Sequence, residues 1–493
     1  MSRITPPSQQ TLLARDLLEA GRAAEAVVAA QAAAARDPGD KEAAALVAQA
    51  TERLMAGDPN LAVLELTAAM QPQKAEPQLD LADAYLELDR PADAERVLKT
   101  LIEHEPKQAI AHQSLGVAYF SVGMLDAAEH YSQRAVALDP GLTIAHQTLA
   151  GVFEAQGDIV RAREHLRQAY AQQSLFAQPA HNPDLAVLVL VTSESGNIPL
   201  KFLMPRGRYS AWVWYVEFAR DGESPPACDL VLNAIGDPDV AGPIAPAAAR
   251  FLASNSMPLL NPSEKVSRTH RHEMASLLDG IDSLVVPAVG LLPPPPQRAA
   301  DWPQHLMAGG MSLPALVRPA GSHGGRGLGL VEDEQGLVAA ASAIGGEAYV
   351  TAFHDFASSD GFYRKYRMIF IDREPMPYHL AISRGWLVHH ESSGMEDDGA
   401  RQAEEMRFLE DPKAALGASA LAAIAEIGRR LDLDYCGVDF SLLPDGRVLL
   451  FEANATMLVH PEGPDSLFAA KNPFIERIIE RFQQMLKARA KKG

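Results

Sequence analysis

The hydrophobic pattern divides the 493-residue chain into two parts. In the first part, up to residue 172, prolines recur at a step of 34 residues, at Pro38, Pro72, Pro106 and Pro140. This pattern predicts a repeated helix-turn-helix unit. Each unit has a small residue where two helices touch, an aromatic residue one turn later and a closing proline. The positions that share this step are Leu81, Leu115 and Leu149; Ala82, Gly116 and Ala150; Tyr85, Tyr119 and Phe153; Ala94, Ala128 and Ala162.

This period and pattern resemble the tetratricopeptide repeat. Residues 74–107 and 108–141 match it well, residues 142–172 form a third unit, and residues 8–73 hold two weaker, alanine-rich units. The predicted first domain is an all-α solenoid over residues 1–172. Stacked repeats of this kind form a concave groove. In one interpretation the groove holds a peptide or protein; in the other, the solenoid only pairs with itself or packs on the next domain.

After the repeats, the pattern becomes one of alternating strands and helices. Residues 173–183 contain turn-forming residues without a helical period and are predicted to be a linker. The run LAVLVLV that follows is typical of a buried parallel strand, and CDLVLNAIGD and MPLLN are further strand candidates. A small α/β domain is therefore predicted over residues 184–304, ending in the proline-rich connector at residues 291–304.

A glycine-rich segment follows the connector. Residues 313–331, LPALVRPAGSHGGRGLGLV, predict a strand, a loop with five glycines and a second strand. Backbone N–H groups in such a loop can close over a phosphate, and an arginine adds charge-assisted hydrogen bonds. A flexible surface hairpin is the alternative.

A hairpin near the C-terminus carries acids in strands that are otherwise apolar. Residues 437–457, GVDFSLLPDGRVLLFEANATM, place a Pro-Asp-Gly turn between two apolar runs. If residues 445–446 form a two-residue turn, counting outward predicts that Asp439 faces Glu452 and that Asn454 points the same way. The same register predicts the pairs Pro444 with Arg447, Leu442 with Leu449, and Phe440 with Phe451.

Opposed carboxylates destabilise a hairpin unless a cation offsets their charge. Because Mg²⁺ takes carboxylate and amide oxygens together with phosphate oxygens, the sequence predicts a magnesium site at Asp439, Glu452 and Asn454. The alternative is that Arg447, Arg384 or another cationic side chain neutralises the pair, although this gives no role to Asn454.

An acid in one strand followed by Glu-x-Asn in the next resembles the ATP-grasp superfamily of carboxylate–amine ligases. The resemblance covers residues 184–485 and implies a multidomain chain in which an α/β plus α+β fold follows the solenoid, with nucleotide-binding lobes over residues 305–493. It also implies that Asp439, Glu452 and Asn454 hold two Mg²⁺ ions on the phosphates of ATP, for which Mn²⁺ can substitute.

The resemblance implies further roles outside the hairpin. Arg367 and Arg384 would contact the transferred phosphoryl group and the acyl phosphate during catalysis. The nucleotide would be bound by basic residues, by the glycine loop and by a hinge strand: Arg271, Arg318, Ser322, His323, Gly324, Gly325, Arg326, Gly327, Val350 and Phe353.

The chain departs from the family pattern in two places. Arg271 and Arg318 stand where the family usually has lysine. The compact ammonium group of lysine is thus replaced by a planar guanidinium with several N–H donors. Residues 386–399 replace the segment that often precedes the metal hairpin, so the acceptor substrate is not specified by the resemblance. Candidate substrate residues are His389, His390, Glu391, His460 and Glu462.

The implied reaction joins a carboxylate and an amine at the expense of ATP, through an acyl phosphate. In the leading hypothesis the repeats recruit a peptide or protein to this ligase. In a second, the ligase acts on free small molecules and the repeats serve homo-oligomerisation. A non-catalytic scaffold that only binds nucleotide, and a phosphotransferase that forms no amide, are the remaining alternatives.

Composition limits the partners and the compartment. A net charge of −19 argues against nucleic acid or an anionic membrane as the main partner. Cys228 and Cys436 are too few for a disulfide framework, which fits a reducing compartment. The chain begins MSRITPPSQQ, without an apolar leader, and contains no apolar run of 18 residues, so we expect a cytoplasmic protein.

Overall fold

The structure is a computed structural model of the chain. It describes residues 8–171, 173–193, 196–205, 207–239, 244–292, 301–308, 311–320, 325, 327–388, 393–463 and 466–491. The chain divides into two compact units, Met1–Gln173 and Ser174–Gly493, which we call the helical unit and the α/β unit. In the described part of the chain, no helix combines the length and the apolar character needed to cross a bilayer.

The helical unit consists of paired helices. Their bounds are α1 Gln9–Glu19, α2 Ala23–Arg36, α3 Lys41–Met55, α4 Pro59–Met70, α5 Ala75–Glu87, α6 Pro91–His104, α7 Ala109–Ser121, α8 Leu125–Leu138, α9 Thr143–Ala155 and α10 Ile159–Tyr170. Helices α3, α5, α7 and α9 begin 34 residues apart, as the sequence predicts. Helix α4 starts later than this step requires, because Asp58 caps its N-terminus and Pro59 occupies its first turn.

The repeated positions form the core of the helical unit. Leu115 and Leu149 are fully buried, and the equivalent Leu81 is 5% exposed. A side chain on Gly116 would place its Cβ 3.2 Å from the backbone nitrogen of Ser132, so only a small residue lets α7 and α8 approach this closely. The repeat pattern therefore reports real helix–helix contacts.

The α/β unit contains three sheets. The strands are β1 Leu175–Gln178, β2 Leu185–Val191, β3 Tyr209–Tyr215, β4 Leu230–Asn233, β5 Leu259–Leu260, β6 Leu284–Val285, β7 Val289–Leu292, β8 Ala315–Pro319, β9 Gly329–Val331, β10 Ala348–Ala352, β11 Tyr363–Ile371, β12 Glu374–Ser383, β13 Tyr435–Leu442 and β14 Val448–Asn454. The helices are α11 Pro246–Ser254, α12 Ser263–Val266, α13 Met274–Leu277, α14 Trp302–Ala308, α15 Glu334–Ile344, α16 Gly399–Glu410, α17 Pro412–Leu416, α18 Ala418–Leu431 and α19 Asn472–Ala490.

The strand orders are β1-β3-β2-β4-β5, β7-β10-β8-β9 and β12-β11-β13-β14-β6. We call these the first, small and large sheets. In the first sheet β3, β2, β4 and β5 run parallel, with β1 antiparallel at its edge. The small sheet is antiparallel throughout, and so is the large sheet except for β6. The first and large sheets share one apolar core, in which Val187 and Leu260 pack in the same cluster as Ile369 and Phe482.

Short strands change two of the predicted boundaries. Residues 173–183, predicted to be a linker, contain β1, which pairs with β3. The predicted boundary between residues 304 and 305 does not separate the sheets, because β6 joins the large sheet and β7 the small sheet well before it. Strand β1 lies among turn-forming residues, and β6 and β7 are bounded by Pro287 and Pro293, so no uninterrupted apolar run marks these strands in the sequence.

The hairpin of β13 and β14 confirms one predicted pair and corrects the rest. Asp439 lies opposite Glu452, but Phe440 pairs with Leu450 rather than with Phe451. Phe451 is an additional residue on β14, a bulge that shifts the register at the position of the acidic pair. Between the turn and the bulge, the predicted register is wrong by one residue. The bulge cancels this shift, so the predicted pair Asp439–Glu452 is nevertheless correct.

The turn itself explains the difference. Leu443 N–H donates to the Arg447 carbonyl at 2.9 Å, and Gly446 N–H donates to the Leu443 carbonyl at 2.8 Å, so the loop has three residues and not two. Gly446 has a φ of 85°, the left-handed conformation that closes a three-residue hairpin loop. The corrected pairs are Leu443 with Arg447, Leu442 with Val448, and Ser441 with Leu449.

Candidate functional site

A deep cleft lies between the small and large sheets of the α/β unit. It encloses about 1180 Å³, part of it open to solvent. Arg318 of the small sheet and Asp439 and Glu452 of the large sheet line its polar end. The aromatic rings of Phe353, Phe356, Trp386 and Phe451 line another part of the wall. The cleft is thus polar and charged in one region and aromatic in another, as pockets for small molecules commonly are.

Asp439 is the most deeply buried acid of the cleft, with 3% of its surface exposed. The Arg367 Nε donates to its Oδ1 at 2.6 Å and Arg367 Nη2 donates to its Oδ2 at 2.8 Å, a bidentate pair between neighbouring strands. Lys365 Nζ lies 3.6 Å from the same carboxylate. Because Lys365 and Arg367 are two residues apart on β11, both point to the cleft side of the sheet.

Glu452 is held in the same way by Arg271. The Arg271 Nη2 donates to the Glu452 Oε2, across 181 residues of sequence. Arg271 lies in a short 3₁₀ helix, Arg271–Glu273. The alternative in which a cationic side chain neutralises the acids is thus confirmed, although the partners are Arg367 and Arg271 and not the named Arg447 or Arg384.

These pairs keep both carboxyl groups ionised. Burial alone would raise the pKa of Asp439, but the charge and hydrogen bonds of Arg367 outweigh it and hold this pKa at about 2. For Glu452, burial and the neighbouring Asp439 charge act upward, yet Arg271 lowers the pKa below its ordinary value. The polar end of the cleft is thus a set of opposite charges held in pairs.

Asn454 ends β14 on the same face as Glu452. Its Oδ1 accepts hydrogen bonds from the backbone N–H of Thr456 at 3.0 Å and from the Thr456 hydroxyl at 3.1 Å. Two carboxylates and one amide oxygen are hard oxygen donors, the kind that Mg²⁺ and Mn²⁺ take. In the described ranges, no group of three or more His, Cys, Asp or Glu side chains could hold a metal ion. The predicted donor set thus consists of these three side chains, and further ligands would have to come from phosphate and water.

Cationic side chains surround the acidic pair on both sides. Arg318 lies on β8 with 9% of its surface exposed and pairs across the small sheet with Tyr349 of β10. Burial and the nearby charge of Arg271 lower the pKa of Arg318. Together with Arg271, Lys365 and Arg367, it makes this end of the cleft suited to a multiply charged anion.

Part of the predicted glycine loop lies among the described residues. Gly325 lines the cleft, and both Gly325 and Gly327 have positive φ values, of 71° and 70°. In that conformation a side chain is strained, so glycine is favoured at both positions. Ser322, His323, Gly324 and Arg326 lie outside the described residues, as do the candidate substrate residues His389, His390 and Glu391.

The hinge strand β10 corrects one nucleotide-binding prediction. Val350 is fully buried and packs in the core of the small sheet with Val317 and Leu337. Thr351 and Phe353 line the cleft instead. Neighbouring strand residues point to opposite faces, so Val350 contributes to the core and only Phe353 keeps the predicted position at the cleft.

Three further predicted residues lie apart from the acidic pair. The Arg384 guanidinium stacks over the Phe362 ring, 4.9 Å from its centroid, and this arginine is exposed beyond the end of β12. His460 is half-buried, with Nδ1 3.2 Å from the Pro461 carbonyl. Glu462 is held by Lys471, whose Nζ is 3.0 Å away. In the described structure these contacts are local and give these residues no direct link to Asp439.

Sequence reasoning also missed functional candidates. Lys365 follows the alternation in YRKYR that also places Arg367, so a period-two count would have found it. Trp386 lines the cleft and contacts Phe353 edge-to-face at 6.0 Å, which no local motif signals. Asp239 accepts from the Tyr349 hydroxyl at 2.8 Å and contacts His270 Nδ1 at 2.7 Å. Such links depend on chain segments that only the fold brings together.

The helical unit has a cavity of its own, of about 740 Å³, between α2, α4, α5 and α6. Its wall carries three arginines, Arg22, Arg90 and Arg96. Arg90 Nη2 lies 2.7 Å from Asp93, and Arg96 Nη1 lies 3.5 Å from Glu25. The cavity is therefore polar, and its wall carries both arginine and acidic side chains.

Comparison with protein families identifies the repeats. Residues 53–116 match the family described as tetratricopeptide repeat. The N-terminal helical unit thus contains tetratricopeptide repeats, as predicted, and repeats of this kind form binding surfaces for other proteins. The match does not extend into the α/β unit, and no curated protein matches the chain.

Solved structures give weaker likenesses. MamA MSR-1 C2 is 26% identical, with 33% of this chain and 97% of that chain covered and a TM-score of 0.21. The thermophilic TPR protein TTC0263 of Thermus thermophilus is 24% identical, with 34% and 91% covered and a TM-score of 0.22. MamA 41-end from Desulfovibrio magneticus RS-1 is 22% identical, with 34% and 96% covered and a TM-score of 0.22. At such TM-scores these likenesses carry no argument about this chain.

Proposed function

We propose that the α/β unit is an ATP-dependent carboxylate–amine ligase of the ATP-grasp type. The observation that carries the proposal is the placement of Asp439 and Glu452 on opposed strands at the cationic end of the cleft. An acidic pair inside a cationic site suits a ligand that brings both phosphates and divalent cations. The aromatic part of the cleft supplies a surface on which a purine base can stack.

The residues divide into roles by position. Arg271 and Arg318 would hold the α- and β-phosphates, and Lys365 and Arg367 the transferred phosphoryl group. The donor oxygens of Asp439, Glu452 and Asn454 fit Mg²⁺ or Mn²⁺ in kind, and such ions neutralise charge on the phosphates. Ligand binding would exchange the arginine–carboxylate pairs for arginine–phosphate contacts. Arg271, Asp439 and Glu452 line the cleft, and Arg367 points to the same side of the sheet as Lys365, which also lines it.

The proposed chemistry has two balanced steps. A substrate carboxylate oxygen attacks the γ-phosphorus, the bond to the bridging oxygen breaks, and ADP leaves. The amine nitrogen then attacks the acyl carbon, the bond to the phosphate oxygen breaks, phosphate leaves, and the nitrogen loses a proton. Arg367 would stabilise the negative charge that develops in both steps, so most of the catalysis is positioning and charge neutralisation.

A second candidate function is a nucleotide-binding scaffold without catalysis. The observation that favours it is that both acids are already neutralised by arginine within the chain. If the arginines stay on the acids when a nucleotide binds, metal ions have no free carboxylate to bind. Full biological activity in an Asp439→Asn variant would support this scaffold and contradict the ligase.

The decisive experiment is a search for ADP release with Mg-ATP across a panel of carboxylates and amines, followed by the mass of the product. We expect one acid–amine pair to give an amide with stoichiometric ADP and phosphate. Asp439→Asn should lower this rate at least about 100-fold, as removal of a group that stabilises transition-state charge does. Asp445→Asn, in the exposed turn of the same hairpin, is the matched control and should leave the rate unchanged.

The result also separates the neighbouring hypotheses. A phosphorylated product without an amide identifies a phosphotransferase, and no nucleotide turnover with any pair contradicts the ligase. For the helical unit we propose recruitment of a peptide or protein substrate. A chain that begins at Ser174 tests this: an unchanged KM for both substrates contradicts recruitment and favours repeats that serve only self-association.

A further inference from the structure

A row of polar side chains crosses the large sheet at the level of the acidic pair. His379 of β12 lies opposite Arg367 of β11, Arg367 lies opposite Asp439 of β13, and Asp439 lies opposite Glu452 of β14. Directly opposed residues share a face, with Cβ atoms about 5 Å apart. The site therefore extends one strand beyond Arg367, to a histidine that the sequence patterns do not single out.

The two strands at the ends of this row, β12 and β14, are each bulged next to the row. On β14 the extra residue is Phe451, next to Glu452. On β12 the register shifts between Arg367 and the residue after it, which leaves Tyr378 as the extra residue next to His379. Bulges next to functional sites re-aim side chains, and here the same device stands on each side of the Arg367–Asp439 pair.

His379 is oriented by a buried acid from a neighbouring helix. Glu405 of α16 is 1% exposed, and its Oε1 accepts from His379 Nδ1 at 2.8 Å and from the Leu380 N–H at 3.2 Å. Lys471 Nζ lies 3.6 Å from the same carboxylate. Burial raises the pKa of Glu405, but the hydrogen bond and charge of His379 bring it below its ordinary value. A carboxylate can only accept, so the proton is on Nδ1 of the imidazole.

We propose that His379, oriented by Glu405, is a positioning residue that holds the Arg367 guanidinium in place for phosphoryl transfer. This inference rests on the proposed ligase function of the same site. Arg367 is fixed on one side by its two hydrogen bonds to Asp439, and ligand binding would weaken that contact. The neighbouring strands place His379 and Asp439 on opposite sides of Arg367. The rigid imidazole would then keep the guanidinium from turning away from the phosphate. Misplacement of a group of this kind by about 1 Å can slow a reaction about 100-fold.

The alternative is a purely structural pair, in which Glu405 only caps the N–H of Leu380 on the edge strand. His379→Asn distinguishes the two, because the asparagine amide can keep the hydrogen bond to Glu405 while the outer part of the ring is lost. We expect His379→Asn to leave the melting temperature and the KM for ATP near wild-type values. The kcat for ADP release should fall about 10- to 100-fold. Unchanged kcat in His379→Asn overturns the proposal.

Glu405→Gln and Glu404→Gln form a matched pair on the same helix. Glu404 pairs with Arg364 and has no contact with the row in the described structure. We expect Glu405→Gln to lower kcat in the same way as His379→Asn, and Glu404→Gln to leave it unchanged. Equal effects of the two variants would show a general disturbance of α16 and would overturn the positioning role.

A readout without turnover separates this inference from the proposed function. In an Asp439→Asn background, which weakens the contact that holds Arg367 Nε, the Arg367 Nε–H resonance should keep part of its protection from exchange with solvent. Adding His379→Ala should remove that remaining protection, and adding Glu404→Gln should keep it. If the wild-type chain releases no ADP with any substrate, the ligase proposal fails. If the protection of Arg367 from solvent exchange does not depend on His379, the positioning role of His379 is contradicted.

Discussion

The helical unit and the α/β unit place their important contacts at very different sequence distances. In the helical unit, equivalent helices begin 34 residues apart and the same positions are buried in successive repeats. In the α/β unit, Arg367 meets Asp439 across 72 residues and Arg271 meets Glu452 across 181 residues. The residues that make each repeat contact therefore recur several times in the sequence, whereas the residues that make each cleft contact occur only once.

The two units should also respond differently to substitution. Repeats contact mainly their neighbours, so the effect of a lost side chain stays within adjacent helix pairs. The cleft contains paired opposite charges that are buried or half-buried, and removal of one member of a pair leaves the other without its partner. Three changes test this contrast, taken from the largest expected effect to the smallest.

The first change is Asp439→Ala, which removes the buried carboxylate and leaves the half-buried Arg367 cation without its bidentate partner. Breaking a buried pair from one side costs about 3–5 kcal/mol of unfolding free energy. All four tryptophans, Trp212, Trp214, Trp302 and Trp386, lie in the α/β unit, so tryptophan fluorescence during urea unfolding reports on that unit alone.

The control for this change removes both charges. The double variant Asp439→Leu with Arg367→Met should be more stable than Asp439→Ala, because replacing a whole buried pair by apolar groups is close to neutral. If Asp439→Ala alone unfolds at the wild-type urea concentration, this charge pair contributes nothing to stability and the contrast between the units fails.

The second change is Leu115→Ala in the repeat core. Leu115 is fully buried, and truncating a buried leucine to alanine costs about 2–5 kcal/mol. Hydrogen exchange followed by mass spectrometry should show faster exchange in α7 and in the helices that pack against it. Ile110→Ala on the same helix is the matched control, since Ile110 is 43% exposed and its loss should cost no more than about 0.5 kcal/mol. Equal acceleration in both variants would show that the repeat pattern does not mark the core.

The third and smallest change concerns pH and the helical unit. Burial and the charge of His146 lower the pKa of His165, whose Nδ1 is 2.9 Å from His146 Nδ1. Below the ordinary histidine pKa of about 6.5, the unfolded chain binds a proton at this position that the folded chain does not. Stability therefore falls as the pH drops through that value towards the lowered pKa.

The test compares hydrogen exchange in α9 and α10 at pH 7.5 and pH 5.5, each corrected for intrinsic exchange rates. His165→Gln should reduce the pH dependence, while His104→Gln, at an exposed position, should not. A pH dependence that is the same in all three chains would assign it to other groups.

Particular residues show how far the sequence alone reached. The helix pairs were predictable because proline, leucine and aromatic positions repeat, and helix starts followed that repeat apart from α4. The strand β2 was predictable from its unbroken apolar run, whereas β1, β6 and β7 were not, because turn-forming residues surround β1 and prolines bound β6 and β7. The pair Asp439–Glu452 was predicted correctly although the turn was not, since the Phe451 bulge returned the register to the predicted one.

The sequence by itself determined the repeat, the main strand–helix alternation and the acids that the hairpin brings together, because each depends on residues close in the chain or on a periodic signal. Tertiary structure decided which cations face those acids, which side of β10 lines the cleft and how His379 joins the row. Those features depend on strand register, on bulges and on loops that meet across long stretches of chain. A shift of one residue in strand register turns each side chain to the opposite face of the sheet. The local sequence does not specify whether such a shift occurs.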